Sequence, residues 1–342
     1  MKLKLFTTLL LAAMLCGCSS EPKTVMKRGF IDKSGKVVFE TDHSYTGDFH
    51  EGFAVAVRSE NRGYIDKAGD IAIEPKYEIA GEFNEGAAWV VIMGKRGFID
   101  IDGKNIIEAK YDFVESFSEG MARVMKNGEK WGYINRLGKQ VIPPQFEICG
   151  DFSEELAMVK DSGKYGFIYK NGEFAIDPIY DQVGPFSAGL AAVRLGDKFG
   201  YIDETDSMII EPRFDAAEAF QDGLARVQLG GKFGYIGKSG NTEIAIIYDN
   251  AESFSQGLAR VVKSERVSYI DVEGNNLFDF TYEFGGNFTN GLAWVVKDGK
   301  YGYIDKSGVL VIPLQFNEAG DFHENMAKVT YLDANLSSSG AE

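Results

Sequence analysis

The stretch FGYIDETDSMIIEPRFDAAEAFQDGLARVQLGGK, residues 199–232, contains the pattern that decides the fold. It begins with a Gly-aromatic-Ile-Asp block, continues with Ile-Glu-Pro-x-Phe-Asp, and then reads Phe-x-x-Gly-x-Ala-x-Val. Short apolar segments with period-two alternation, separated by Gly, Pro and Asp, are typical of β-strands joined by turns. The stretch therefore predicts three short antiparallel strands in about 34 residues.

The same blocks recur along most of the chain. The isoleucine of the first block is found nine times, and the intervals are all 34 residues apart from a single interval of 35. These residues are Ile31, Ile65, Ile99, Ile134, Ile168, Ile202, Ile236, Ile270 and Ile304. The extra residue falls in the turn-like stretch 126–130, where it lengthens a hairpin loop without shifting the strand register. A fixed period of this length indicates a tandem repeat architecture.

By these blocks the chain resembles the WG repeat family, whose consensus runs approximately Gly-Lys-Trp-Gly-Tyr-Ile-Asp, Ile-Pro-x-x-Tyr-Asp and Phe-x-x-Gly-x-Ala-x-Val. The resemblance covers residues 27 to 329. The tryptophan that names the family is kept only at Trp131, so we expect this column to be partly exposed. Elsewhere the column holds Arg28, Arg62, Arg96, Tyr165, Phe199, Phe233, Val267 and Tyr301.

The predicted fold is all-β, with nine tandem three-stranded repeats arranged either as a propeller-like ring or as an open β superhelix. The two ends of the array favour the ring. The first unit lacks a Phe-x-x-Gly-x-Ala-x-Val strand before it, and the last unit ends on that strand at Val329. Pairing the strands of Val329 and Ile31 would bury two exposed sheet edges.

The N-terminus has the features of a lipoprotein leader. Lys2 and Lys4 precede an apolar run over residues 5–15, which is too short for a permanent transmembrane helix. The sequence around Gly17 and Cys18 resembles the lipobox of bacterial lipoproteins, which implies lipidation of Cys18. We therefore expect a signal peptide at 1–17, a lipidated tether at 18–27, one repeat domain at 28–331 and a flexible tail at 332–342. Ser19 after the lipidated cysteine resembles outer-membrane sorting more than inner-membrane sorting.

Composition narrows the classes of partner. The chain carries 36 Lys and Arg against 51 Asp and Glu, a net charge of −15, which repels phosphate backbones. We therefore expect no nucleic-acid partner, and membrane contact through the lipid anchor alone. Once the leader is removed and Cys18 lipidated, Cys149 is the remaining thiol, and we interpret it as a small core residue.

No sequence motif predicts an enzyme, a cofactor or a metal. Nucleophile-elbow, phosphate-loop, HExxH and dinucleotide motifs are absent from the sequence. The repeated aspartate of the first block, as in Asp66 and Asp305, is interpreted as a turn cap, because calcium requires several oxygen ligands. His50 and His323 share a column in the first and last units, so in a ring they would be neighbours and could share a weak metal or pH-sensitive site.

Positions that vary within a constant repeat are the candidates for recognition. The residue between the Ala and the Val of the third block is Val55, Trp89, Arg123, Met158, Ala192, Arg226, Arg260, Trp294 and Lys328 in the nine units. Trp and Arg are common in binding hot spots, which makes five of these residues the candidate binding surface. They are Trp89, Arg123, Arg226, Arg260 and Trp294. The alternative interpretation is that this column packs against a neighbouring repeat.

These observations predict a lipid-anchored, non-catalytic cell-envelope protein that acts as a protein–protein interaction scaffold. A glycan-binding or peptidoglycan-binding module is one alternative, because exposed aromatic rings stack on sugar faces. A hydrolase in a central channel is the other. The sequence does not identify the partner protein.

Overall fold

The computed structural model describes residues 25–128, 130–279 and 281–333. The described residues form β-strands and no helix, and the strands assemble into nine small antiparallel sheets. The sheets follow one another around a ring, so the molecule is a nine-bladed β-propeller. Within the described ranges no helix is long and apolar enough to cross a membrane.

Each sheet is one blade, and its strands are named a, b, c and d in their order across the sheet. Blades 1 to 3 contain Tyr45–Thr46, Ala54–Arg58, Asn61–Ile65 and Ile71–Tyr77; Ile79–Ala80, Ala88–Ile92, Lys95–Ile99 and Asn105–Tyr111; and Phe113–Val114, Met121–Met125, Trp131–Asn135 and Gln140–Phe146. Blades 4 to 6 contain Ile148–Ser153, Leu156–Asp161, Lys164–Tyr169 and Phe174–Tyr180; Gln182–Val183, Ala191–Leu195, Lys198–Ile202 and Met208–Phe214; and Ala216–Gln221, Leu224–Leu229, Lys232–Ile236 and Thr242–Tyr248.

The remaining blades include one that is incomplete and one that closes the ring. Among the described residues, blade 7 has strands a to c alone, Asn250–Ala251, Leu258–Lys263 and Arg266–Asp271. Blade 8 contains Phe284–Gly285, Leu292–Lys297, Lys300–Asp305 and Leu310–Phe316. Blade 9 takes strands a and b from the end of the chain, Glu318–Ala319 and Ala327–Asp333, and strands c and d from its beginning, Val25–Ile31 and Val37–Glu40.

Blade 9 confirms the predicted closure and shows that the alternative of an open superhelix was wrong. Its strands b and c pair antiparallel over seven residues, from Ile31 opposite Ala327 to Val25 opposite Asp333. The strands therefore extend three residues into the predicted tether and two residues into the predicted tail. The longer pairing gives the closing seam more backbone hydrogen bonds than the repeat pattern alone predicted.

The prediction of three strands per unit was incomplete. Eight of the nine described blades have four strands, because the segment after the Tyr/Phe-Asp motif forms the additional short strand a. Strand d includes the proline of the second block, as in Ile71–Tyr77, which contains Pro75. Strand d is at the edge of its sheet, so a residue without an amide hydrogen is tolerated there.

The glycine of the first block allows strand d to approach. In eight blades a Cβ atom at this position would lie 2.3 to 2.6 Å from a backbone atom of strand d, which is closer than side chains permit. These residues are Gly29, Gly63, Gly97, Gly132, Gly166, Gly200, Gly234 and Gly302. Ser268 occupies the column in blade 7, where its hydroxyl donates to the carbonyl of Phe278, and this is the blade in which the described residues include no strand d. The Cβ atom of the serine gives a steric reason for this difference.

The hydrophobic core is divided among the blade interfaces. All nine isoleucines of the first block are fully buried. The aromatic residue before each isoleucine packs on the block-three phenylalanine of the next blade, with ring centroids 4.7 to 5.1 Å apart at all nine interfaces. The interface between blades 9 and 1, formed by Phe30 and Phe49, is built like the others. Aromatic contacts of this geometry stabilise beyond the apolar area that they bury.

Candidate functional site

The turns between strands a and b are linked into a ring of hydrogen bonds. In eight of the nine blades a residue in the left-handed backbone region at the centre of this turn accepts a hydrogen bond from a turn amide of the next blade, at 2.7 to 3.1 Å. The acceptor and amide pairs are Glu51 and Gly86, Glu85 and Gly120, Glu119 and Glu155, Glu154 and Gly189, Asp222 and Gly257, Gln256 and Gly291, Asn290 and Asn325, and Glu324 and Gly52. These carboxylates and amides are therefore structural.

The hydrogen-bond ring has one gap. Ala188 occupies the acceptor position of blade 5 with a φ of 55°, like its equivalents, but its methyl group offers no acceptor to Gly223 of blade 6. The equivalent turns of the other eight blades all supply an oxygen to their neighbour. The interface between blades 5 and 6 thus lacks a stabilising contact that the rest of the ring has.

We expect Ala188→Glu to supply the missing acceptor and to raise the free energy of unfolding by about 1 kcal/mol, since a carboxylate hydrogen bond to a backbone amide is charge-assisted. Urea unfolding followed by circular dichroism measures the change. Ala188→Met is the matched control, because it adds comparable length without an acceptor. Equal stability of the two variants would contradict the proposed link.

The five candidate binding residues lie on strand b and are half-buried. Trp89 packs against the apolar cluster between blades 2 and 3, and the Arg96 guanidinium lies 4.8 Å from its ring centroid. Arg123 donates to the carbonyl of Cys149 at 2.7 Å and to Asp151 at 2.8 Å, both in blade 4. Trp89 and Arg123 therefore each contact the following blade and are also partly exposed to solvent.

The other three candidates are held by carboxylates or aromatic rings. Arg226 contacts Glu218 of its own blade and donates to the carbonyl of Ala251 in the next. Burial opposes ionisation of Glu218, but hydrogen bonds from Arg226 and Ser253 outweigh it and lower the pKa of that carboxyl. Arg260 likewise donates to Glu252 at 2.6 Å.

Trp294 is the remaining candidate. Its ring is tilted against that of Tyr301, with centroids 5.5 Å apart, and it packs into the cluster between blades 8 and 9. The structure therefore distributes the five candidates around the ring, two in blades 2 and 3 and three in blades 6 to 8. It does not bring them into one site.

A relation between two columns of the hairpin of strands a and b was not recognised in the sequence; it includes a Glu–Arg ion pair in blades 6 and 7, whereas Arg123 of blade 3 pairs with Asp151. The residue eight positions before each of the three arginines is a glutamate, namely Glu115, Glu218 or Glu252. In the other six units that position is glycine, and a Cβ atom there would lie 2.2 Å from the indole nitrogen in the two tryptophan units. The signal available in the sequence was that the residue types at two positions eight residues apart vary together in all nine units.

The ring closure brings together the two histidines of the shared column, as the sequence predicted for a ring. The imidazole centroids of His50 and His323 are 5.4 Å apart. His50 Nε2 is 3.1 Å from Glu82, and Lys328 Nζ is 3.0 Å from Asp48. In the described part of the chain, no group of three or more His, Cys, Asp or Glu side chains is arranged to hold a metal ion.

Beside this histidine pair, Asp321 is a partly buried carboxyl. Its burial raises its pKa, and the nearby His323 opposes that rise. Its position between blades 8 and 9 places it next to Trp294. The closure region thus contains titratable groups at a seam of the ring.

The predicted structural roles of the repeated aspartate and of Cys149 agree with the contacts. Asp32 accepts hydrogen bonds from the amides of Ser34 and Lys36, and the hydroxyl of Ser34 is the main cause of its lowered pKa. Cys149 is buried in the core between blades 3 and 4, which raises the pKa of its thiol to about 12. Cys18, the predicted lipidation site, lies outside the described residues.

Comparison of folds gives distant likenesses. A eukaryotic initiation factor structure is 11% identical over 79% of this chain and 87% of that chain, with a TM-score of 0.54. The computationally designed Ika8 protein is 10% identical over 85% of this chain and 98% of that chain, with a TM-score of 0.46. BamB from Moraxella catarrhalis is 12% identical over 90% of this chain and 100% of that chain, with a TM-score of 0.44. The first likeness shows a shared fold alone. No curated protein sequence matches the chain.

Comparison with sequence profiles of protein families shows the family of this chain. The profile described as WG containing repeat matches nine consecutive segments that together span almost all of the ring. The segments are residues 29–59, 63–95, 97–129, 131–165, 165–199, 199–233, 233–265, 268–301 and 301–331. The protein therefore belongs to the WG containing repeat family.

Proposed function

We propose that this protein is a lipid-anchored, non-catalytic scaffold of the cell envelope, which binds another protein through the surface of its propeller. The observation that carries the proposal is the variable strand b column. It changes among Trp, Arg, Met, Ala, Val and Lys while the buried frame around it stays constant. Seven of the nine residues are half-exposed, whereas Val55 and Ala192 are buried. A constant frame with variable positions that reach the surface is how repeat arrays combine stability with recognition.

The anchoring part of the proposal depends on Cys18 and on its resemblance to a lipobox. The cationic start, the short apolar run and the Gly17-Cys18 pair support export followed by lipidation, with outer-membrane residence favoured by Ser19. Lipidation keeps the propeller close to a membrane surface without a transmembrane helix. A partner in the same envelope is then met at high local concentration.

The proposal is tested by fractionation and capture with the full-length chain. Cys18→Ser is expected to move the protein from the membrane fraction to the soluble fraction, and Cys16→Ser is the matched control that leaves it in the membrane. The tagged protein is then used to capture partners from envelope extracts after crosslinking. Continued membrane residence of Cys18→Ser would overturn the anchoring, and absence of a reproducible protein partner would overturn the scaffold role.

A further inference from the structure

We infer that the propeller binds an acidic peptide segment of its partner on one arc of the ring, formed where blades 9, 1, 2 and 3 meet. This inference rests on the proposed scaffold function and specifies its binding surface. The surface, here called the cation–aromatic arc, consists of Arg28, Tyr45, Arg62, Trp89, Arg96 and Phe113. It lies on the side of the ring that carries the loops between strands b and c and between strands d and a.

The first property of the arc is exposed apolar surface at the start of strand a. The first residues of strand a in blades 1 to 4 are Tyr45, Ile79, Phe113 and Ile148, which are 58%, 41%, 46% and 38% exposed. The corresponding residues of blades 5 to 7 are Gln182, Ala216 and Asn250, that of blade 9 is Glu318, and that of blade 8 is Phe284, which is 65% exposed. Blades 1 to 4 are thus the longest run of consecutive blades with a large apolar group at this position, and this run marks one side of the surface for an apolar contact.

The second property is a series of arginines between these apolar residues. In blades 9, 1 and 2 the family's tryptophan column holds arginine, and each Nη1 donates to a backbone carbonyl of the next blade. The donor and acceptor pairs are Arg28 and Ser44, Arg62 and Glu78, and Arg96 and Val114. Among the described residues, no carboxylate forms an ion pair with any of these three guanidinium groups.

This lack of ion pairs distinguishes the three arginines of the arc from Arg226 and Arg260. Arg226 and Arg260, in blades 6 and 7, are each neutralised by a glutamate of their own hairpin. The arginines of the arc are fixed by neutral carbonyls, so their charge and most of their five N–H donors remain available. In a chain of net charge −15, an acidic ligand is attracted to this arc and repelled by much of the remaining surface.

The cation–aromatic arc contains two cavities, one on either side of Tyr45. A cavity of about 340 Å³ between blades 9 and 1 is lined by Arg28 and Tyr45, and one of about 310 Å³ between blades 1 and 2 is lined by Tyr45, Arg62 and Trp89. Their two acidic lining residues are already engaged. Glu318 accepts from Thr330 at 3.0 Å, and Glu82 lies 3.1 Å from His50.

The arrangement favours a carboxylate ligand over a stacked sugar. The guanidinium of Arg96 lies 4.8 Å from the ring centroid of Trp89 and 5.0 Å from that of Phe113, so it covers aromatic surface on which a sugar would stack. A guanidinium held on aromatic rings is well placed to bind a carboxylate through two parallel hydrogen bonds. A peptide that alternates acidic and aliphatic side chains satisfies both the arginines and the exposed apolar residues.

The test uses a fluorescein-labelled ten-residue peptide of alternating Glu and Leu, with the Lys-Leu peptide as the opposite-charge probe. We expect saturable anisotropy with the Glu-Leu peptide and the full propeller, weakened by added salt, and no saturation with the Lys-Leu peptide. Arg62→Gln with Arg96→Gln should weaken binding at least about tenfold. Lys263→Gln with Arg266→Gln, two exposed cations on the same side of the ring in blade 7, should change it less than about twofold, since they lie outside the arc.

The outcomes separate the arc from the scaffold function. Three outcomes would overturn the arc as an acidic-peptide site. The Glu-Leu peptide could fail to bind saturably, or the two double variants could lose the same affinity. The third is saturable binding of soluble peptidoglycan fragments by a propeller that does not bind the Glu-Leu peptide. The same double variants are compared in the envelope capture experiment. If the arc variant captures the partner as well as wild type does, the scaffold role stands and the arc is refuted. If wild type captures no protein, the scaffold role itself fails.

Discussion

Gly200→Ala is expected to detach strand d of blade 5 and to lower the free energy of unfolding by about 3 kcal/mol or more. A Cβ atom at this residue would lie 2.3 Å from the carbonyl oxygen of Ile210 and 2.8 Å from the nitrogen of Pro212, both in the backbone of strand d. The backbone cannot rotate away as a side chain does, so the strand must move. Urea unfolding measures the loss, and hydrogen exchange over residues 208–214 locates it.

Gly184→Ala is the matched control in the same blade. A Cβ atom there would meet its nearest neighbour at 3.7 Å, which is ordinary van der Waals contact, and the residue has no positive φ. We expect its stability to stay within about 0.5 kcal/mol of wild type, as for substitutions that create no clash. If Gly200→Ala were as mild as Gly184→Ala, the close approach of strand d would not explain the glycine, and the steric reason given for Ser268 in blade 7 would fail.

Val329→Pro is expected to open the ring at blade 9. Val329 is in strand b, between strands a and c, and pairs with Gly29 across the closing seam and with Ala319 on its other side. Proline removes the amide donor from this central strand, at a cost of about 3 kcal/mol or more, and also loses a buried side chain. Thermal unfolding gives the loss of stability, and small-angle scattering shows whether the disc shape is lost.

Val329→Ala separates the side chain from the backbone. This variant keeps the amide and loses only the apolar contacts, so we expect a smaller destabilisation, about 1 to 3 kcal/mol, with the ring still closed. A Val329→Pro variant that melts with the alanine variant and keeps the dimensions of the wild-type disc would show that closure does not depend on this strand pair.

The repeat pattern predicted the frame of the molecule well because each constant residue has a local steric role. The nine isoleucines are buried at the end of strand c, and the repeated aspartates cap the turns that follow it. The complementary ends at Ile31 and Val329 predicted the closing pair, because an unpaired strand at each end would leave two open edges. Periodicity was sufficient for these features.

What the pattern missed depends on neighbours in space. Strand a has only two residues in most blades, too few for alternation to be seen, and it forms because strand b offers an open edge. The five candidate residues were chosen by type from one column, whereas the arc combines three columns from four blades. Arg62, for example, joins Tyr45 and Trp89 at one cavity although no two of the three are in the same repeat column.

The seam in blade 9 has a consequence for how the protein acquires its shape. Strand pairing there joins residues about 300 positions apart, so this contact has the highest chain-entropy cost in the molecule and forms against a large loop. Earlier blades can form as they emerge during synthesis, but the strand Val25–Ile31 pairs on one side with Val37–Glu40 and must wait, with its other edge open, until the last repeat is available. Closure is therefore expected to be the slow, final folding step, and the waiting edge is the part of the chain most in need of protection from aggregation.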